Sequence, residues 1–123
     1  MDYKALLFSA EGRINRAKFW GGSVLVAVIV LVVAGIAALI ISAVGDSAIA
    51  TIIGIIAAIV YLGAIWPAVC LGIKRFHDRN KSGWWVLIQF VPIIGAFWYL
   101  IEAGFLKGTD GPNQFGPDPL QVG

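Results

Sequence analysis

The chain has 123 residues and a formal net charge of +2, with 59% hydrophobic and only 13% charged residues. Globular domains usually carry about 25% charged residues, and a soluble domain of this size has too little interior to bury so much apolar surface. The composition therefore excludes an ordinary soluble domain and indicates a protein whose solvent is lipid. The single cysteine, Cys70, excludes an internal disulfide, and no spacing of Cys and His predicts a zinc site.

Residues 1–20 mix basic, polar and aromatic side chains. A short amphipathic helix is expected near residues 3–10, and Gly12 ends it. Arg13 and Arg16 then precede Trp20 at the entrance to the first apolar run. We assign residues 1–20 to a basic, aromatic segment at the membrane surface.

Two long uncharged runs follow, at residues 21–44 and 48–73, with a short turn at 45–47. A helix over 21–44 would span about 36 Å, which exceeds a hydrocarbon core of ~30 Å. A removable signal peptide is the alternative, but its apolar part has only ~7–15 residues and is not followed at once by a second long run. The sequence therefore predicts two retained helices that form an antiparallel membrane hairpin.

The third apolar run, residues 84–106, is less pure because Gln89, Pro92, Gly95 and Glu102 interrupt it. It forms either one kinked span or a re-entrant hairpin that turns at Pro92–Gly95, whose halves are too short to cross a membrane. Ionisable groups inside membrane segments are costly and are functional candidates. Glu102 is therefore a functional candidate, with the alternative that it reaches the interface. With Gln89, which we expect to bond to a neighbouring helix, it makes a candidate intramembrane polar site.

The loop predicted at residues 74–83 decides the orientation. Eight of the nine basic residues fall in this loop or in residues 1–20, whereas the turn at 45–47 has none. Short loops rich in Lys and Arg stay in the cytoplasm. We therefore expect the N-terminus and the basic loop inside and the turn outside. The side of the Gly- and Pro-rich tail, residues 107–123, depends on whether the third run crosses, and we expect the tail to be extended.

His77 and Asp78 stand between the cations of this loop. They could form an acid–base pair, but adjacent residues of a helix seldom face each other and the sequence places no nucleophile beside them. A structural or recognition role is therefore favoured over catalysis. Topology and attraction to anionic headgroups, about 1 kcal/mol per basic residue, explain the cations without a nucleic acid. We predict no enzymatic activity, no cofactor or metal and no nucleic-acid partner.

Three stretches carry a family resemblance: "FSAEGRINRAKFW", "KRFHDRNKSGWWVLIQFVPIIG" and "GTDGPNQFGPDP". Together they resemble the small bacterial inner-membrane proteins grouped as domain of unknown function 805, with Lys74 where that pattern usually has arginine. The resemblance implies a multi-pass inner-membrane protein and supplies no activity. The motif positions that it carries over are Gly12, Arg13, Arg16, Trp20, Arg75, His77, Asp78, Ser82, Gly83, Trp84, Asn113, Gly116, Asp118 and Pro119.

The sequence thus predicts an all-α integral membrane protein with three apolar helical segments. The first hypothesis is a scaffold whose cytoplasmic basic–aromatic face contacts anionic lipid headgroups, a protein partner or a second copy. The residues of that candidate face are Arg13, Arg16, Trp20, Arg75, His77, Asp78, Arg79 and Trp84. The alternative is a subunit of an oligomeric transporter or channel that uses Glu102 and the broken third segment. A third hypothesis is a membrane enzyme that uses His77 and Asp78.

Overall fold

The computed structural model describes residues 2–120, and all its regular elements are helices apart from one isolated bridge between Asn113 and Gly116. The predicted all-α fold with three apolar segments is therefore confirmed. In chain order the elements are α1 (Tyr3–Phe8), α2 (Arg16–Val44), α3 (Ala48–Asp78), a 3-10 helix (Gly83–Phe90), and α4 (Ile94–Tyr99), which continues as a π-helical turn (Leu100–Phe105). The last three residues of the predicted tail, 121–123, and residue 1 lie outside the described residues.

Helices α2 and α3 form the antiparallel pair, and local capping sets their ends. The side chain of Asn15 accepts a hydrogen bond from the backbone N–H of Lys18, so α2 begins at Arg16 rather than near residue 21. Gly45 ends α2 with a φ of 64°, a conformation that favours glycine. The Ser47 side chain then caps α3. Helix α3 runs on to Asp78, so the first half of the predicted basic loop is helical.

The apolar surface of this pair faces outward. The most apolar stretches of the two helices have mean hydropathies of 3.4 and 2.5, and almost no residue within those stretches is buried within the chain. Core helices of a soluble protein would be covered. With 29 and 31 residues, the helices are about 44 and 46 Å long, enough to cross a ~30 Å hydrocarbon core. The outward apolar surface confirms a helical membrane protein.

The third apolar segment turns back on itself. The eight residues of its 3-10 helix rise about 16 Å, and the twelve residues of α4 and the π-helical turn rise about 18 Å, so neither half crosses ~30 Å. Ile93 at the turn has a φ of 66°. A Cβ on Gly95 would overlap the Ile88 carbonyl oxygen, so only glycine allows the halves to pack this closely. This is the geometry of the re-entrant alternative.

We call residues 83–106 the returning segment, and its C-terminal end meets the N-terminal residues and the end of α3. The Lys74 ammonium donates to the carbonyl oxygens of Ala5 and Leu6, which holds α1 against α3. The Thr109 N–H donates to the Asp78 carbonyl at 2.6 Å. The tail is therefore folded back through its described residues instead of extending from the surface. We call residues 2–20, 74–82 and 102–120 the polar cap.

Candidate functional site

The centre of the polar cap is the carboxylate of Asp78, the last residue of α3. It pairs with Arg13 at 2.9 Å and with Arg75 at 2.5 Å. The exposed fractions of these side chains are 5% for Asp78, 1% for Arg13 and 0% for Arg75. Removing one partner of a buried ion pair leaves an uncompensated charge, so the three groups depend on one another.

The two arginines direct their remaining donors to backbone carbonyls. A guanidinium presents five N–H donors in a fixed fork, which suits several acceptors at once. Arg13 donates to carbonyls of the tail, those of Thr109, Gly111 and Gly116. Arg75 donates to carbonyls of the N-terminal and returning segments, those of Ile14, Ala103 and Leu106. These contacts fasten three distant parts of the chain to the end of α3.

The His77 ring is held by both the N-terminal segment and the tail. Its Nδ1 lies 2.9 Å from the Gly12 carbonyl oxygen, which only accepts, so Nδ1 carries the proton. The ring stacks on Phe115 with centroids 3.9 Å apart and planes 6° from parallel. The Asn113 amide donates to the His77 carbonyl at 2.9 Å. His77 and Asp78 therefore point to different partners and do not form the acid–base pair that the sequence allowed.

Glu102 lies on the π-helical turn and is buried beside the basic loop. Its carboxylate pairs with Lys81 at 2.6 Å and Arg79 at 3.2 Å, and accepts a hydrogen bond from the Trp98 indole at 2.8 Å. The Gln89 amide instead donates to a carbonyl of its own 3-10 helix. The structure does not bring Gln89 and Glu102 into one polar site. Glu102 instead pairs with the cations of the basic loop.

The residues of the candidate face divide into two groups. The side chains of Arg13, Arg75 and Asp78 are buried and present no surface, whereas His77 is partly exposed and stacks on Phe115 of the tail. Arg16, Trp20 and Trp84 remain exposed, and Arg79 is partly exposed. Of the exposed group, the Arg16 guanidinium donates to the Phe105 carbonyl and the Trp20 indole donates to the Gly104 carbonyl. Trp84 is 79% exposed.

The tail is the contribution that sequence reasoning missed. A Cβ on Gly108 would overlap the Asp78 carboxylate, so a glycine is needed where the tail passes the ion pair. The Asp118 carboxylate accepts the backbone N–H groups of Leu120 and Gly111, both at 2.9 Å. These two hydrogen bonds lower the pKa of Asp118, with a smaller contribution from Arg13. The motif "GTDGPNQFGPDP" was the available signal, because it contains these turn-forming residues.

Outside this interior network, cations remain on the surface of the cap. Among residues 2–120, no ion pair joins Lys4, Arg16 or Lys18 to a carboxylate, and the pair of Lys107 with Asp110 is largely exposed. No buried side-chain polar atom in the described range lacks a hydrogen-bond partner. The cap therefore combines a satisfied interior with positive charge on its outside.

The cap residues and the apolar helices together match a known family. The family model described as "Protein of unknown function (DUF805)" matches residues 7–117. The chain belongs to this family. The match extends from the end of α1 to the tail turn, so it includes the Asp78 ion pair, both long helices and the returning segment.

Individual relatives of this DUF805 protein are known from Escherichia coli (strain K12). Inner membrane protein YhaH is 37% identical over 113 residues, which cover 89% of this chain and 85% of YhaH. Inner membrane protein YhaI is 42% identical over 59 residues, 47% of this chain, so the match spans about half of YhaI (48%). Uncharacterized protein YiiR is 29% identical over 147 residues, covering 99% of this chain and 93% of YiiR. No solved structure matches the chain.

These relatives and the two apolar helices identify the DUF805 chain as a helical inner-membrane protein. None of the three names describes an enzyme, and none supplies a substrate or a partner.

Proposed function

We propose that this DUF805 protein is a small multi-pass scaffold whose polar cap lies on the cytoplasmic side and binds anionic phospholipid headgroups. The observation that carries the proposal is the collection of every Lys and Arg at one end of the fold. Both basic clusters and Lys107 lie there, while the turn at the opposite end has one charged residue, Asp46. Basic segments next to membrane helices stay in the cytoplasm, which supports this orientation of the cap.

The division of the cations supports lipid as the ligand. Arg13 and Arg75 pair with Asp78 inside the cap, and Arg79 and Lys81 pair with Glu102. The remaining outward cations have no comparable protein partner. Each contributes about 1 kcal/mol of attraction to an anionic leaflet when it lies at the surface. A face with several such cations concentrates anionic lipid around the cap.

Exposed tryptophans support a position of the polar cap at the membrane interface. Trp20, Trp84 and Trp85 lie where the polar cap meets the apolar segments, and their exposed fractions are 37%, 79% and 39%. Indole rings favour the membrane interface because one edge is polar and the body is apolar. The cations beside them would then lie at the level of the headgroups.

The alternative functions draw less support from the site. A transporter or channel subunit needs polar groups along a path, but Glu102 is engaged by two cations and Gln89 by its own helix. An enzyme that uses His77 and Asp78 needs a free base or acid, but both groups hold the cap together. A protein partner or a second copy remains an alternative occupant of the cationic face.

The proposal is tested by measuring which lipids surround the protein. The purified protein is reconstituted into nanodiscs from an equimolar mixture of phosphatidylglycerol and phosphatidylcholine, and its lipid shell is quantified. We expect phosphatidylglycerol to be enriched, and expect Lys4→Gln/Arg16→Gln/Lys18→Gln to bring the shell close to the bulk ratio. The control variant Asp46→Asn, at the opposite end, should leave the enrichment unchanged. Equal enrichment in the wild type and the triple variant would contradict the proposal.

A further inference from the structure

A groove of about 590 Å³ opens beside the first turns of α2, on the side that faces α1. Tyr3 and Leu6 of α1 form one wall. The other wall belongs to α2 and its cap, and consists of Asn15, Ala17, Lys18, Gly21, Gly22, Val24, Leu25 and Val28. The groove therefore joins the polar cap to the apolar surface of a membrane helix.

The helical spacing of the second wall gives the groove a direction. Lys18, Gly21, Leu25 and Val28 follow one another by three, four and three residues, so they lie along one face of α2. From Lys18 to Val28 the helix rises about 15 Å. One end of the groove thus lies at the level of the cations, and the other lies well inside the apolar stretch.

The mouth of the groove carries polar groups suited to an anion. Lys18 is half-buried there, and no carboxylate in the described part of the chain pairs with it. The Asn15 side-chain oxygen accepts the Lys18 backbone N–H at 2.8 Å. The NH₂ group of the same side chain takes no part in that hydrogen bond. An ammonium and an amide donor at one mouth match the charge and acceptors of a phosphodiester.

We propose that this groove is a binding site for one anionic phospholipid, with one acyl chain along Gly21–Val28 and the phosphate held by Lys18 and Asn15. The inference rests on the proposed function of the cap, and adds a discrete site of one lipid per chain to the general attraction. Charge complementarity at the mouth and apolar walls below it commit the groove to a lipid with a charged headgroup. A second copy of the chain or a free fatty acid would occupy the groove without a phosphate at its mouth.

Two pairs of matched variants separate the groove from general attraction. A Cβ on Gly21 meets no atom within 4 Å and Gly21 lines the groove, so we expect the side chain introduced by Gly21→Leu to occupy the groove. Gly35→Leu is its control, because Gly35 lies in the same helix with equally open surroundings and does not line the groove. Lys18→Gln removes the cation at the mouth, and Asp46→Asn removes an exposed charge at the opposite end of α2 that does not line the groove.

The experiment is native mass spectrometry of the full chain in detergent, titrated with dioleoyl phosphatidylglycerol or dioleoyl phosphatidylcholine. We expect one phosphatidylglycerol retained per wild-type chain, retention that is lost in Gly21→Leu, and retention that is unchanged in Gly35→Leu. Lys18→Gln should weaken phosphatidylglycerol binding about fivefold, the effect of one interfacial cation, and leave phosphatidylcholine binding unchanged. Asp46→Asn should keep wild-type affinity for the single lipid.

The results that overturn the site differ from those that overturn the function. If the wild type prefers phosphatidylglycerol and Gly21→Leu retains that single lipid, the groove is not the site and the cationic cap remains the lipid-binding surface. If the wild type forms a dimer that Gly21→Leu abolishes, a second copy occupies the groove and the phospholipid assignment is wrong. The assignment is also wrong if oleic acid binds the wild type as tightly as phosphatidylglycerol. If the wild type shows no preference for phosphatidylglycerol in either assay, the site and the proposed function both fall.

Discussion

At the scale of single residues, Asp78 is the group on which most of the polar cap depends. Its carboxylate is the counter-charge of two interior arginines, and those arginines bind carbonyls of the N-terminal segment, the returning segment and the tail. Hydrogen bonds made by charged groups are about twice as strong as neutral ones. The loss of this one carboxylate should therefore weaken the contacts of α3 with the N-terminal segment, the returning segment and the tail.

We predict that Asp78→Asn lowers the free energy of unfolding by about 3–5 kcal/mol, because it leaves two buried guanidiniums without a counter-charge. The measurement is thermal unfolding of the purified protein in detergent. Asp110→Asn is the matched control, since it breaks the Lys107 pair, whose side chains are 60% and 79% exposed. Surface pairs contribute about 0–1 kcal/mol. Equal losses in the two variants would contradict the role given to Asp78.

At the scale of elements, the returning segment depends on close packing at its turn. The 3-10 helix and α4 approach each other where Gly95 meets the Ile88 carbonyl. Trp85 and Trp98 then stack across the two halves with centroids 6.1 Å apart and planes 16° from parallel. The same geometry brings Glu102 back to the basic loop, so a wider turn would also separate Glu102 from its cations.

We predict that Gly95→Ala destabilises the protein by about 1–3 kcal/mol, the usual effect of forcing extra volume into a packed position. The near-ultraviolet circular dichroism of the Trp85–Trp98 stack should weaken at the same time. Gly63→Ala is the control, because a Cβ at Gly63 in α3 meets no atom within 4 Å. There, alanine should stabilise by roughly 0.5–1 kcal/mol. An unchanged stack in Gly95→Ala would show that the halves are not packed this closely.

The sequence predicted the apolar segments well because hydropathy and length are local properties. Helix ends were harder: the start of α2 depends on Asn15 as a cap, and α3 continues through Lys74 and Arg75 because their side chains find buried partners. The sequence indicates that the basic loop is important, but it predicts a surface position for charges such as Arg75 that the structure buries. The contacts of Arg13 and Arg75 join residues up to 103 positions apart, and no pattern in one sequence specifies such pairings.

At the scale of the whole molecule, the chain has one polar end and one almost uncharged end. The N-terminal segment, the end of α3, the returning segment and the tail all meet at the polar cap, whereas the α2–α3 turn is remote from it. Because moving basic segments across a membrane is disfavoured, the polar end is expected in the cytoplasm. A single cap that holds both the N-terminal segment and the tail predicts an even number of crossings, with the tail on the same side as the N-terminus.

Cysteine accessibility tests this arrangement most directly. In a Cys70→Ala background, Glu11→Cys, Asp46→Cys and Gln114→Cys report on the N-terminal segment, the α2–α3 turn and the tail. A membrane-impermeant maleimide should label only the Asp46→Cys protein in intact spheroplasts, and should label the Glu11→Cys and Gln114→Cys proteins only in inverted vesicles. Labelling of Gln114→Cys together with Asp46→Cys in spheroplasts would mean that the third segment crosses the membrane, and would contradict a single cytoplasmic cap.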